Sequence, residues 1–470
     1  MPTMRSPLQA RRRATLLAVW LGLAAALAQA QSQPADAPLA TPPVVPVPAA
    51  TSGGDPPVVE PADAPWLNIS GFGTLGWARS NRDWTYQRFI NRRGGLERDS
   101  VFGAQADLRL DDTWSATIQA KLAPSESNDR AWRVTPAWAF IAWRPANDWL
   151  LRAGKLRIPI FLHSEQLDVG ATYDEARLPA DIYGIVPTTD FKGLRLTRSW
   201  AITDGDLSLD AYHGKARQSK RVWVREGLPG LVSAGAMFRE VNTQASGLVA
   251  TWNDSSTKAR IGLHRVLTSR RGGSALPVRP TWVDLGPGIG YWQTESELPG
   301  PGIATVQRIE NTMLTLGTEF SPLPGWKVIG EYGRLRQVNT ERSVDSTGGY
   351  VTLSREIAAF TPYVTLSRLF SSSVSREWTR RLDETTVPAV VPGAGLLNAS
   401  MRISADSVPV YDQWSQALGG SYALSPTHKL KAEWMRTRAK APGMYDLPSG
   451  AKLFQRRSVD VLSLSYSFVF

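Results

Sequence analysis

The 470-residue chain has no cysteine and only 4 histidines. A disulfide framework, a thiolate nucleophile and a cysteine-ligated metal are therefore all excluded. His163, His213, His264 and His428 show no ligand spacing, and Ser164-Glu165 beside His163 lacks the third group that a catalytic triad needs. No cofactor or metal is expected, and no enzyme. Beyond residue 30 no apolar run approaches the ~20 residues that a membrane-spanning helix requires, which excludes a helical membrane bundle. Tryptophan, in contrast, is plentiful at 18 residues, and an excess of this amphipathic aromatic suits a membrane interface.

Composition divides the chain into three. Residues 1–30 carry Arg5, Arg11, Arg12 and Arg13, then an apolar stretch from Ala14 to Ala28 and small residues at Ala28 and Ala30, the pattern of a secretory leader. Residues 31–65 are rich in proline, with Pro42-Pro43, Pro46, Pro48 and Pro56-Pro57 among Ala, Val and Thr; they read as an extended tether that builds no core. The four arginines of the leader and the four acids of the tether cancel, so residues 66–470 carry the whole formal net charge of +11.

From Trp66 onward the dominant signal is a period of two. Phe102, Ala104, Ala106, Leu108 and Leu110 alternate with Gly103, Gln105, Asp107 and Arg109. Asp111-Asp112-Thr113 turns the chain, and Trp114, Ala116, Ile118, Ala120 and Leu122 alternate with Ser115, Thr117, Gln119 and Lys121. The pattern recurs at Ala259, Ile261 and Leu263 against Lys258, Arg260 and His264, and at Leu430, Ala432 and Trp434 against Lys429, Lys431 and Glu433. Short turns fall near Asp111, Asn147-Asp148, Asp204-Gly205, Asn253-Asp254, Pro324-Gly325, Ala358 and Pro426. Long connections fall at about 80–98, 123–132, 157–190, 214–241, 265–306, 336–347, 370–410 and 437–451. Long and short connections in that alternation demand about sixteen strands. The expected fold class is all-β, a transmembrane antiparallel β-barrel with apolar residues facing lipid and polar ones facing the lumen. Trp114, Trp149, Trp252 and Trp326 lie beside the short turns, as an interfacial girdle requires.

At the end of the chain Leu462, Leu464, Tyr466, Phe468 and Phe470 alternate with Val461, Ser463, Ser465, Ser467 and Val469. Here the sequence resembles the Gram-negative outer-membrane proteins, whose final strand ends in Phe and is read by the barrel-assembly machinery. That resemblance assigns Tyr466, Phe468 and Phe470 to the assembly signal, and places the barrel in the outer membrane with its N-terminal tether in the periplasm. Within that class, a sixteen-stranded barrel over 66–470 is similar to the porins, trimeric channels for small hydrophilic solutes. Leu151-Arg152-Ala153-Gly154-Lys155-Leu156-Arg157 adds a second patch of likeness.

In porins the third long loop folds into the lumen and narrows it, acidic side chains on the loop facing basic ones on the wall. Carried over, the constriction is Glu165, Asp168, Asp174, Glu175 and Asp181 on the loop, opposite Arg152, Lys155 and Arg157 on strand 5. The Pro-Glu-Phe-Gly-Gly run of enteric general porins is missing. Opposed charges of that kind order water and sort solutes by charge. On the lumen-facing register Arg109, Lys121, Arg152, Lys258, Arg260, Lys327, Lys429 and Lys431 outnumber Asp107, Asp210, Glu319, Glu331 and Glu433, so weak anion preference is expected. The other reading is an adhesin or structural barrel displaying its large loops. Partners are then outer-membrane lipid, two further copies in a homotrimer, the assembly machinery and solutes.

Other motifs lack their context. Gly71-Phe72-Gly73-Thr74-Leu75-Gly76 matches a dinucleotide fingerprint but precedes no helical pattern. Arg93-Gly94-Gly95 and Arg271-Gly272-Gly273 are single units, and no nucleic-acid partner is expected.

Overall fold

A computed structural model describes residues 66–470 apart from residue 229; the leader (1–30) and the tether (31–65) lie outside the described residues. Among the described residues sixteen antiparallel strands form one closed barrel. In chain order the first eight are β1 (Leu67–Ser80), β2 (Val101–Arg109), β3 (Trp114–Pro124), β4 (Trp132–Ala146), β5 (Trp149–Arg157), β6 (Asp190–Ile202), β7 (Gly205–Val224) and β8 (Gly235–Asn253). The second eight are β9 (Thr257–Arg270), β10 (Ile309–Phe320), β11 (Trp326–Gln337), β12 (Ser346–Arg355), β13 (Phe360–Ser371), β14 (Asp412–Ser425), β15 (His428–Ala439) and β16 (Arg457–Val469). Each pairs with its neighbours in sequence, and β1 pairs with β16. The shortest strands have 9 residues, enough for the ~9–11 that cross a bilayer at a tilt.

All seven expected short turns are present, and local chemistry makes them. At the β2–β3 turn Asp111 Oδ1 accepts from the backbone N–H of Thr113 at 2.7 Å and of Trp114 at 2.8 Å. At the β8–β9 turn Asp254 Oδ1 does the same for Ser256 at 2.7 Å and Thr257 at 2.8 Å. These donors hold both carboxyl groups below the usual range, the Thr113 and Ser256 N–H contributing most.

The alternation becomes two faces. Leu194, Leu196, Leu248, Ile261, Leu263, Leu316, Leu418 and Leu464 point outward and are exposed. Thr243, Thr251, Thr315, Thr352, Thr365, Ser463 and Ser467 point inward. An exposed apolar belt of this extent is a lipid-facing surface, and the closed ladder is what lets it stand in hydrocarbon. At the turn end Trp114 stacks on Trp143 at 5.8 Å, and Arg198 lies over the Trp149 ring at 4.5 Å, an interfacial border.

Two expectations are corrected. The long connection expected at 214–241 shrinks to 225–234, because β7 and β8 continue pairing as a hairpin from Asp206↔Asn253 to Val224↔Gly235. The connection between β13 and β14, read as a plain long loop, folds into two helices, Ser373–Glu384 and Ala394–Ser407.

Closure is made at the chain end. Phe470 and Gly71 exchange backbone hydrogen bonds of 2.9 and 3.0 Å. Tyr466, Phe468 and Phe470 point outward and stack in a row, at 5.7 and 6.4 Å between successive rings. The Phe468 and Phe470 rings lie over Gly73 and Gly71 of β1, where any Cβ would sit 2.5 and 2.3 Å from ring carbon. Replacing Phe468 and Phe470 with Ser removes the ring contacts Tyr466–Phe468, His428–Phe468 and Phe468–Phe470, worth about 0.5–1.5 kcal/mol each beyond their burial. The variant is expected to reach the envelope in normal amount but to yield less heat-modifiable, membrane-inserted barrel on gels of membrane fractions; equal amounts would show that the seam does not depend on these rings.

Candidate functional site

The chain leaves β5 at Ile158, and the segment 158–189 lies against the inward faces of strands all round the barrel. Two kinds of contact hold it. The first is apolar: Ile158, Ile160, Phe161, Leu162, Ile182 and Ile185 pack with inward-facing Tyr212, Val249, Met313, Leu335, Tyr350 and Leu369. The second is a set of hydrogen bonds and ion pairs reaching individual strands.

Asp168 pairs with Arg157 and, at 3.1 Å, with Lys121 of β3. Glu165 receives Arg195 Nη1 of β6 at 2.6 Å, while Arg195 Nε donates to Asp210 of β7 at 2.8 Å; the Arg195 side chain is 1% exposed. Asp174 accepts from Lys429 Nζ at 2.9 Å and from Ser421 Oγ at 2.8 Å. Asp181 accepts from Ser367 Oγ and from Gln413 Nε2, the latter at 2.5 Å, with no cation within 4 Å among the described residues. Glu175 is buried; Lys431 Nζ donates to its backbone carbonyl at 3.0 Å rather than to its carboxylate, and to Gly170 O at 2.5 Å. From the wall, Glu331 accepts from Leu162 N–H at 2.8 Å, from Tyr183 at 2.6 Å and from Tyr350 at 2.8 Å.

The basic partners are distributed differently from the expectation. Arg152 faces the lumen, directly opposite Arg195, with no carboxylate within salt-bridge distance among the described residues. Arg157, at the top of β5 where the chain turns inward, reaches Asp168 and is buried. Lys155 is the correction: it faces outward, in register with outward Ala139 and Lys192, and pairs with Asp190 at 2.7 Å. Residues 152 and 155 are an odd number of positions apart, so a strand sends them to opposite faces.

Residues outside the expected constriction set complete the arrangement, Glu331 among them having been expected only as lumen-facing. Arg195 and Glu331 carry more of the segment's attachment than Arg152 does; Arg195 was readable from its place between outward Leu194 and Leu196. Arg177 forks onto Asp99, its Nε at 2.8 Å, tying the segment to the β1–β2 loop. Open space remains on either side of the segment. Toward the turns a cavity of about 340 Å³ is lined by His163, Asp174, Lys258, Glu319 and Lys327. Toward the long loops one of about 310 Å³ is lined by Arg88, Arg98, Arg221 and Asp446. Above it Arg225 clamps Asp383 at 2.6 Å and Asp406 at 2.7 Å, joining the helical loop to the wall. Burial raises the Asp406 carboxyl to about 6, a rise its bond with Arg225 only partly offsets.

No protein-family model and no curated protein matches the chain. Among solved structures it is similar to the high-pH form of OprB from Pseudomonas putida (10% identity, 86% of this chain and 94% of that one, TM-score 0.48). It is also similar to the trimer form of OmpT, an outer membrane protein of Vibrio cholerae (10%, 86% and 99%, 0.47), and to an anion-selective porin from Comamonas acidovorans (10%, 86% and 99%, 0.45). The class that the ladder and the two faces define is a closed, sixteen-stranded transmembrane β-barrel, with an inward segment between its fifth and sixth strands.

The close fit of the segment against the wall is testable at Gly348 of β12, where an added Cβ would lie 2.3 Å from the Asp181 carbonyl oxygen. Gly348→Val is expected to lift the segment, so that trypsin cleaves after Arg177 several-fold faster while the barrel keeps its heat-modifiable mobility. An unchanged cleavage rate would mean that the segment is not seated there.

Proposed function

We propose that the chain is an outer-membrane porin, a water-filled channel for passive diffusion of small hydrophilic solutes and ions with a weak preference for anions. The observation that carries this reading is the polar lumen inside the apolar belt, crossed by a segment whose acids meet basic wall residues on several strands. Glu165, Asp168 and Asp174 are each neutralised by a wall cation. Among the described lumen-facing acids without a cationic partner, Glu175, Asp181, Glu331 and Glu433 are 3–4% exposed and bonded mostly to hydroxyl, amide or backbone donors, and half-buried Asp107 accepts from Gln105 and Thr117. Of the lumen cations left without a carboxylate among the described residues, Lys431 is buried, whereas Arg98 is exposed and Arg152 and Lys258 are half-buried. A solute in the open part of the lumen therefore meets net positive charge. At ~0.15 M salt the screening length is about 8 Å, so charges beside the narrowest part dominate.

The same reading gives the chain a homotrimeric assembly, a periplasmic tether over 31–65, and Tyr466, Phe468 and Phe470 as the signal read by the assembly machinery. It has no catalytic step. Reconstitution of the full chain into a planar bilayer tests it: stepwise conductance is expected, with a reversal potential on the anion side in a salt gradient. Arg152→Ala is expected to move that potential toward cations, and Lys155→Ala, on the outer face, to leave it in place. Silence in the bilayer would favour an adhesin, and equal effects of the two substitutions would overturn the assignment of charge to the lumen.

A further inference from the structure

Lysines on the lipid-facing side of a barrel require an explanation. Lys155 of β5, Lys192 of β6 and Lys215 of β7 are directly opposite one another across three adjacent strands, all outward. Like charges so placed repel at roughly 5 Å between Cβ atoms and destabilise the sheet. Lys155 is satisfied, with Asp190 at 2.7 Å and the Pro136 carbonyl at 2.6 Å. Lys192, Lys215 and neighbouring Arg217 have no carboxylate within salt-bridge distance among the described residues. They line a cavity of about 770 Å³ on the outer wall, to which Arg308, at the foot of the 271–308 connection, adds another cation.

Directly below, toward the turns, the same strands carry a second hollow of about 910 Å³, walled by outward Leu194, Leu196, Leu248 and Leu263, with Arg265 of β9 and Arg334 and Arg336 of β11 also in its lining. On β6 the descent is Lys192, Leu194, Leu196, three successive outward positions roughly 6–7 Å apart. A cationic cavity at the upper border of the apolar belt, next to a largely apolar groove on the same strands, is complementary to an amphiphile with an anionic head and acyl chains.

We propose that this outer face binds a membrane lipid through its phosphate groups, Lys192, Lys215, Arg217 and Arg308 holding the phosphates and the leucine groove holding the chains. A second copy of the chain is the weaker occupant. Its outward acids Glu240, Glu310, Asp412 and Asp460 are already engaged by Arg271, Arg265, Arg368 and Arg436, so it has little free negative charge to offer.

The test uses the full-length barrel in detergent, with native mass spectrometry reading retention of added lipid. The probes are a diphosphorylated glucosamine lipid, phosphatidylcholine as the neutral-headed lipid and inorganic phosphate as the free anion. The wild type is expected to retain the diphosphorylated lipid at least tenfold more than phosphatidylcholine, and inorganic phosphate at tenfold excess is expected not to displace it. Lys192→Gln with Lys215→Gln is expected to lower that retention at least tenfold, and Lys192→Arg with Lys215→Arg to preserve it. Heat-modifiable mobility and bilayer conductance report that the variants fold, and both are expected to match wild type. Equal retention of the two lipids, displacement by inorganic phosphate, or undiminished retention in the glutamine variant would each overturn the proposal. So would loss of the trimer with lipid retention unchanged, which would make the patch a contact between copies.

Discussion

Everything in this barrel depends on the requirement that no backbone N–H or C=O be left unpaired in hydrocarbon. The ladder meets it only because β16 returns to β1, and the reciprocal bonds between Gly71 and Phe470 are the last rungs of that seam. Once the ladder is closed, the strand period of two assigns each side chain to lipid or lumen, and no position is neutral between them. The outward leucines and the inward threonines and serines are consequences of that single constraint.

A closed barrel then has an interior to fill. Here the filling is partial and chemically mixed. One side holds an apolar core, with Phe161 and Ile182 of the inward segment against Tyr212, Met313 and Leu369 of the wall. Elsewhere hydroxyl, amide and ion-pair contacts hold the segment, and they do so at distances of 2.5–3.1 Å on strands as far apart as β3, β6, β14 and β15. A segment tied to so many strands is a fixed part of the lumen, and the space it leaves on either side is where water and solute pass in the function proposed.

Much of this was legible in the residues. Alternation at 102–122 gave a strand pair and its inward Gln119 and Lys121 correctly, because each residue there has one environment and Asp111 supplies a turn by itself. The ion pairs of Asp168 and Asp174 with basic wall residues followed the expected type, although their partners Lys121 and Lys429 were foreseen only as lumen-facing. Lys155 was misplaced because likeness to a known pattern grouped it with Arg152 and Arg157, against the parity of the strand. The apolar core inside the lumen was not legible, since Ile158-Pro159-Ile160-Phe161-Leu162 lacks periodicity and its partners occupy positions expected to be polar. The helices over 373–384 and 394–407 were not legible because they lie between two barrel strands, where the period of two that defines the barrel carries no information.

The absence of native cysteine makes one measurement decisive for the two-faced, water-filled barrel. Single cysteines are placed at Arg152, Lys258 and Lys327, facing the lumen, and at their neighbours Ala153, Ala259 and Val328, facing lipid. A charged, membrane-impermeant thiol reagent is then added to the channel in a bilayer. The account predicts modification and a stepwise fall in current at the first three and neither at the second three. Modification without alternation, or modification of the lumen set with no change in current, would contradict it.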